Sequence, residues 1–447
     1  MLVEFSITNF RSIKERQTLS MLSSDRIKLE DRKNPLFPVF QYKNLELLTL
    51  AAIYGKNSAG KSNIIKAFKA VEWLVLNSHR FTQGDTLDAN EAFIFDVEYT
   101  KLPTLFEIDF LGNDKKRYLY IIQFDKESIL REELHYYIIT STGKTTKRKL
   151  YSRFANQSVS YGYDFRGLRK PIEERTRANV LFLSKSINEN NTFLEPIFDF
   201  FKTGFRIADF TEGYNDIQTK FFTKVANEKS GSDMKILNDA LGSIDTGIIE
   251  LTSLKTDKLP KNIKIKDSLE GDLSDDDKRK RDDFIEMLKM EMKAVHKLFN
   301  GTQEIGTHSI SLKEESEGTQ KFIAVFSDLI QLIKSGSLMV VDEFDKSFHP
   351  HLTQTLISLL TNPKVNPKGS QLIFTTHDST LLDNLDNDQI NLVQKDFTGA
   401  TEIYTVSDIR GLRGDVSNSK RYLRGEFESI PNINKSSIFQ SLELRHD

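Results

Sequence analysis

Residues Gly55-Lys56-Asn57-Ser58-Ala59-Gly60-Lys61-Ser62 form a complete GxxxxGKS loop, and they restrict what this chain can fold into more than any other stretch. The apolar run Leu47-Leu48-Thr49-Leu50-Ala51-Ala52-Ile53 before the loop reads as a buried strand. Asn63-Ile64-Ile65-Lys66-Ala67-Phe68 after it reads as a helix. Strand, glycine-rich turn and helix in that order let successive backbone N–H groups converge on an anion at the helix start. There Lys61 reaches the β- and γ-phosphates of a nucleotide, and the Ser62 hydroxyl ligates Mg²⁺. A glycine-rich turn with a surface lysine is the plain alternative, and the rest of the sequence weighs against it.

A second group of motifs stands near the other end. Ser337-Leu338-Met339-Val340-Val341-Asp342-Glu343 reads as an apolar strand ending in adjacent carboxylates. An aspartate at such a strand end, here Asp342, holds Mg²⁺ beside a phosphate loop, which is the Walker B role. Glu343 then orients or deprotonates the attacking water. Upstream, Ser316-Glu317-Gly318 opens a segment in which Phe322, Val325, Phe326, Leu329, Ile330 and Ile333 recur at helical spacing, with Gly336 as its stop. Ser-x-Gly at a helix start offers a hydroxyl and free N–H groups to an anion. Downstream, Gln371-Leu372-Ile373-Phe374-Thr375-Thr376-His377-Asp378 reads as another buried strand with a histidine just past its end. In this series His377 is the expected γ-phosphate sensor.

Composition bounds the class. At 447 residues the chain has length for two or three structural units. Lys and Arg number 62 against 64 Asp and Glu, a net charge of −2, so no global basic character advertises nucleic acid. The absence of cysteine excludes disulfides and thiolate metal sites and fits a reducing cytoplasm. No apolar run approaches the roughly 20 residues that span a bilayer. The opening Met1-Leu2-Val3-Glu4-Phe5-Ser6-Ile7 alternates like a strand, unlike a signal peptide. The expectation is a soluble cytoplasmic protein with no membrane partner.

Between the two motif groups the charge density rises. The mixed-sign run Asp272–Asp283 leads into Phe284, Met287, Leu288, Met292, Val295 and Leu298, whose spacing predicts an amphipathic helix. The expected organisation is therefore an N-terminal half over 1–187, a mostly helical insertion over 188–300, and a C-terminal half over 301–447. The basic clusters Lys144–Lys149 and Lys278–Arg281 read as solvated surface, which leaves DNA or RNA binding open.

Phosphate loop, Ser-x-Gly, acidic strand end and strand-end histidine, in that order, resemble ABC-type P-loop ATPase heads. The opening Phe5-Ser6-Ile7-Thr8-Asn9-Phe10-Arg11-Ser12-Ile13 is similar to the first strand of the RecF and SMC-like branch. Glu315–Lys321, Asp342–Pro350, Thr375–Asp378, Asp388-Gln389-Ile390 and Tyr422–Pro431 together resemble the AAA15/AAA21-like ATPases, among them AbiL-type and PARIS-type anti-phage defence ATPases. The resemblance implies an α/β head with an inserted lobe that binds ATP and Mg²⁺. Lys61, Ser62, Asp342, Glu343 and His377 would act in cis. Ser316 and Gly318 would complete the site of a second copy, making a homo-oligomer, with Ser347-Phe348-His349-Pro350 where the copies meet. Arg11 would lie near the nucleotide, and Gln123 would be the glutamine that adds a Mg²⁺ contact. The 70 residues after His377 leave no room for a TOPRIM nuclease, so any destructive activity would belong to a separate effector protein answering a phage-derived trigger. The alternative is a RecF/SMC-like repair ATPase that binds DNA itself.

Overall fold

The computed structural model describes residues 1–23, 39–139, 145–208, 232–255, 290–412, 416–427 and 439. The strand before the phosphate loop, Leu50–Tyr54, is buried at every position, as are Leu338–Val341 and Gln371–Thr375. Apolar runs without alternation suit strands covered on both faces. They lie in a six-stranded sheet in the order Phe205–Ala208, Leu338–Val341, Gln371–Thr375, Leu50–Tyr54, Ile390–Lys395, Thr401–Thr405. All neighbours are parallel except the last pair.

Register then places the chemistry. Phe374 stands opposite both Val341 and Ala52, and Thr375 opposite Ile53, so three strands finish at one edge of the sheet. The loops leaving that edge carry the phosphate loop, Asp342-Glu343 and His377. The carboxyl edge of a parallel sheet is where such folds bind ligands.

Leu2–Thr8 forms as expected, inside an antiparallel seven-stranded sheet between Thr104–Leu111 and Gln17–Ser20. The helix Lys61–Asn77 packs against both sheets. Its Phe68 ring lies 4.4 Å from Phe5 of the antiparallel sheet and 5.5 Å from Phe205 of the parallel one. Gln371 adds a polar stitch: its Oε1 accepts the Leu2 N–H at 2.6 Å, while its Nε2 donates to the Leu2 and Leu48 carbonyls at 3.0 Å. A buried amide is tolerated there because both of its ends are satisfied.

One carboxylate, Glu132, is buried completely in the antiparallel sheet. It accepts hydrogen bonds from Tyr120, Tyr151, and the Phe182 and Leu183 N–H groups at 2.6–2.9 Å. The last two open the helix Phe182–Asn188, where a negative charge meets the positive end of the helix dipole. Arg153 stands 3.7 Å away.

The chain divides into two compact units. The head is Met1–Ala208, Ser335–Lys346 and Pro350–Asp447; the second unit is Asp209–Lys334 with Ser347–His349. The break after Ala208 replaces the expected one at 187, because Glu195–Lys202 and Phe205–Ala208 belong to the head, the latter pairing with Leu338–Val341. The expected break at 300 is replaced likewise, since the Ser-x-Gly segment falls in the second unit.

That unit is less helical than its spacing predicts. Its described part holds the helix Ser232–Ser243, most of the helix Glu317–Ser335, and an antiparallel sheet of Ile248–Lys255, Met290–Asn300 and Gln303–Ser311. Met292, Val295 and Leu298 stand on a strand: Met292 and Ala294 point inward by twos, while Leu298 is exposed. The three-residue spacing of the larger side chains hid the smaller Ala294. The turn signal Asn300-Gly301 closes the hairpin, Asn300 pairing with Gln303. Phe284, Met287, Leu288 and the charged run before them lie outside the described residues.

Candidate nucleotide-binding site

The phosphate loop is shaped by what touches its two glycines. A Cβ on Gly55 would stand 2.3 Å from the Val393 carbonyl oxygen, so only glycine fits beside that strand. Gly60 has φ 115°, a conformation open to glycine, and its Cβ would lie 2.2 Å from Thr401 Oγ1. Ser58, without that freedom, also holds a positive φ of 64°. Lys61 folds back across the loop, donating from Nζ to the Gly55 carbonyl at 2.7 Å and to the Lys56 carbonyl at 3.3 Å. Burial lowers its pKa, against the pull of Asp342, Glu343 and Asp345.

Those three carboxylates come from the loop after Leu338–Val341. The Thr375 hydroxyl donates to Asp342 Oδ1 at 2.5 Å and accepts the Glu343 N–H at 2.7 Å. Glu343 holds a left-handed backbone, φ 51°, and its carboxylate lies 3.3 Å from Lys346 Nζ. The His377 N–H donates to Asp345 Oδ2 at 3.3 Å. Although the ring reaches solvent, burial lowers its pKa, and the Lys61 cation lowers it further against Asp345, Glu343 and Asp342. Lys61, Asp342, Glu343 and His377 thus share one electrostatic neighbourhood at the sheet edge. Ser62 exposes its hydroxyl at the first turn of the helix.

Arg11 lies in the turn after the first strand of the other sheet and reaches the start of the helix Lys61–Asn77. Its Nε donates to Asn63 Oδ1 at 3.0 Å, and its guanidinium pairs with Glu91 at 2.5 Å. Arg11 too has positive φ, 52°. Strained backbone that collects at one site is a mark of function. A cavity of about 510 Å³ opens here, lined by Arg11, Ser12, Asn63, Glu91, Phe95 and Lys395 among others. Sequence reasoning missed Ser12, Glu91, Phe95, Thr375, Lys395 and Thr401. Ser12 and Thr375 lie inside quoted motifs without a role of their own there, and the others belong to no motif; only the fold brings Thr401 to the loop, Thr375 to the two acids, and Glu91, Phe95 and Lys395 to the cavity.

Gln123 is not brought to this sheet edge by the strand pairing. It sits half-buried on Arg117–Phe124 of the antiparallel sheet, across from Leu105 and Arg131. Ser316 and Gly318 lie in the second unit. Ser316 Oγ accepts the Thr319 N–H at 3.1 Å, an N-cap to Glu317–Ser335. A Cβ on Gly318 would stand 3.0 Å from the Ser347 carbonyl, and Ser347 Oγ donates to Glu317 Oε1 at 3.2 Å. Ser347 also has a positive φ, 68°.

The donors suit magnesium. The Ser62 hydroxyl and the Asp342 carboxylate are hard oxygen ligands, of the kind that leave Mg²⁺ places for phosphate and water. Among the described residues, no helix is long and apolar enough to cross a membrane.

A comparison with curated proteins finds no match to this sequence. Two solved structures of the recombination mediator protein RecF of the RecFOR pathway are similar to it. The RecF-ATPrS structure is 12% identical, with a TM-score of 0.33 over 90% of this chain and 98% of that one. The RecF-ATP structure is 13% identical, with a TM-score of 0.35 over 90% and 97%. The model of one protein family matches residues 50–383, which include the phosphate loop, Ser316, Asp342, Glu343 and His377. With more than half of its length matched, this α/β P-loop chain belongs to the family described as "AAA domain, putative AbiEii toxin, Type IV TA system".

Proposed function

We propose that the protein is a Mg²⁺-dependent ATPase that serves as the sensor or regulatory subunit of a bacterial anti-phage system and controls a separate effector protein. The observation that carries the ATPase reading is the meeting of Lys61 with Asp342, Glu343 and His377 at one sheet edge, where burial lowers the Lys61 pKa against the pull of the acids, and burial and the Lys61 cation lower that of His377. Incoming phosphate replaces the two carbonyls that Lys61 now holds and takes its charge. Bound Mg²⁺ would supply charge neutralisation and water positioning, held by Ser62 and Asp342. Glu343 faces the attacking water as its base, and His377, kept neutral, hydrogen-bonds the γ-phosphate. The base and ribose occupy the cavity lined by Arg11, Asn63 and Phe95.

In this reading Ser316 and Gly318 complete the site of a second copy. ATP then controls head pairing, and head pairing controls what the effector does. The family's own description speaks of a toxin system, which agrees with a role in growth arrest under attack. The test is expression with and without the neighbouring gene, followed by phage challenge. The proposal expects no toxicity and no nuclease activity from the single protein, and protection from the pair that Lys61→Ala abolishes. Cleavage of DNA or RNA by the single protein, or protection that survives Lys61→Ala, would contradict it.

A further inference from the structure

Ser12 and Thr401 both lie outside the matched residues 50–383, are 389 positions apart, and meet at the phosphate loop. The hydrogens can be followed in one direction. Arg11 Nε donates to Asn63 Oδ1 at 3.0 Å, and Asn63 Nδ2 donates to Ser12 Oγ at 2.7 Å. Thr401 Oγ1 donates to the Ala59 carbonyl at 2.8 Å, so in its 2.7 Å bond with Ser12 it accepts. Backbone adds a clamp, Thr401 N–H donating to the Ser12 carbonyl at 2.7 Å. Ser12 and Thr401 are both buried, and their mutual bond and the Thr401–Ala59 bond are shielded from solvent.

We propose that Thr401 is a positioning residue for phosphate binding, which it sets through the Ala59–Gly60 peptide; this rests on the nucleotide reading above. The peptide is trans, so its carbonyl and N–H point in opposite directions. With the Ala59 carbonyl held by Thr401, the Gly60 N–H is turned away from Thr401, free to donate to a phosphate oxygen. The close approach of Thr401 to this peptide needs glycine, since a Cβ at Gly60 would lie 2.2 Å from the hydroxyl. The relay begins at Arg11 and Asn63, which line the cavity, so contacts made there extend to the loop's backbone.

The test compares Thr401→Val, which keeps the shape and loses the hydroxyl, with Thr401→Ser, which keeps the hydroxyl. Binding of ATP and ADP with Mg²⁺ is measured by calorimetry, and turnover by steady-state kinetics. A phosphate contact made equally in ground and transition states affects KM and leaves kcat. The valine variant should raise Kd and KM roughly tenfold, the scale of a buried carbonyl left without a partner, with kcat within about threefold of wild type. The serine variant should match wild type. If Thr401→Val does not fold, Ser12→Ala interrupts the same relay one step before Thr401 and should show the same split more weakly. Wild-type affinity in the valine variant, or equal losses in valine and serine variants, would overturn the assignment while leaving the ATPase reading standing. A folded wild-type protein that binds no ATP would overturn both.

Discussion

Thr375 donates its hydroxyl hydrogen to Asp342 and accepts the Glu343 N–H, so one side chain sets the aim of both acids. Under the proposed function the other Asp342 oxygen would hold Mg²⁺, and Glu343 is held at φ 51°, which ordinary residues adopt at a cost. Thr375→Val preserves volume and removes both bonds. We expect turnover to fall by about 10- to 100-fold, the usual penalty for losing a partner behind a metal ligand, and the Mg²⁺ requirement to rise. A magnesium titration of ATPase rate checks this; an unchanged midpoint and rate would refute it.

That relationship marks the limit of what the sequence shows. Loop and helix around Gly55–Ser62 were legible because the loop's glycines have fixed spacing, but the apolar run Leu47–Ile53 read as one strand is divided between an antiparallel strand, Leu45–Leu48, and the parallel strand Leu50–Tyr54. Asp342, Glu343 and His377 were legible because each follows an apolar run. Thr375 was not, since a threonine inside a buried strand reads as β propensity, and Thr401 was not, since its partner is 389 residues away. The insertion misled for another reason. Large apolar residues three apart imitate a helix when a small inward residue such as Ala294 is passed over.

Glu132 should act as a structural pin rather than a catalyst. Its removal in Glu132→Ala leaves two tyrosine hydroxyls and two helix-start N–H groups without their acceptor, and takes away the carboxylate 3.7 Å from Arg153. Breaking a buried charged network of this kind costs about 3 kcal/mol or more. Chemical denaturation should show that loss, and Glu132→Gln, which keeps one acceptor oxygen, should lose less. Equal stability of the alanine variant and wild type would contradict the assignment.

His377 should titrate below the ordinary histidine value of about 6.5, because burial and the Lys61 cation both disfavour its charged form. With the folded pKa below the unfolded one, its contribution to stability is present above about pH 6.5 and is lost as pH falls through the folded value. Proton NMR of the imidazole in nucleotide-free protein reads the midpoint. Lys61→Ala should move that midpoint upward, since one of the two depressing causes is gone. A downward or absent movement would show that the two groups do not share a site.

If Ser316 and Gly318 complete a partner's site, ATP should draw heads together, most clearly when Glu343→Gln blocks hydrolysis. Mixing Lys61→Ala protein with Ser316→Arg protein should restore part of the activity, because a mixed dimer keeps one intact composite site. Light scattering with and without ATP, and the mixing assay, check both halves. A fully active monomer that ignores ATP would rule the composite site out.

In the proposed function Lys61 binds the phosphates of ATP and Glu343 drives ATP hydrolysis. These roles are tested most directly by measuring Mg²⁺-ATP binding and phosphate release side by side in wild type, Lys61→Ala and Glu343→Gln. Binding and turnover are expected in wild type, neither in Lys61→Ala, and binding with turnover slowed roughly 100-fold or more in Glu343→Gln. Wild-type turnover in Glu343→Gln, or tight ATP binding by Lys61→Ala, would contradict them.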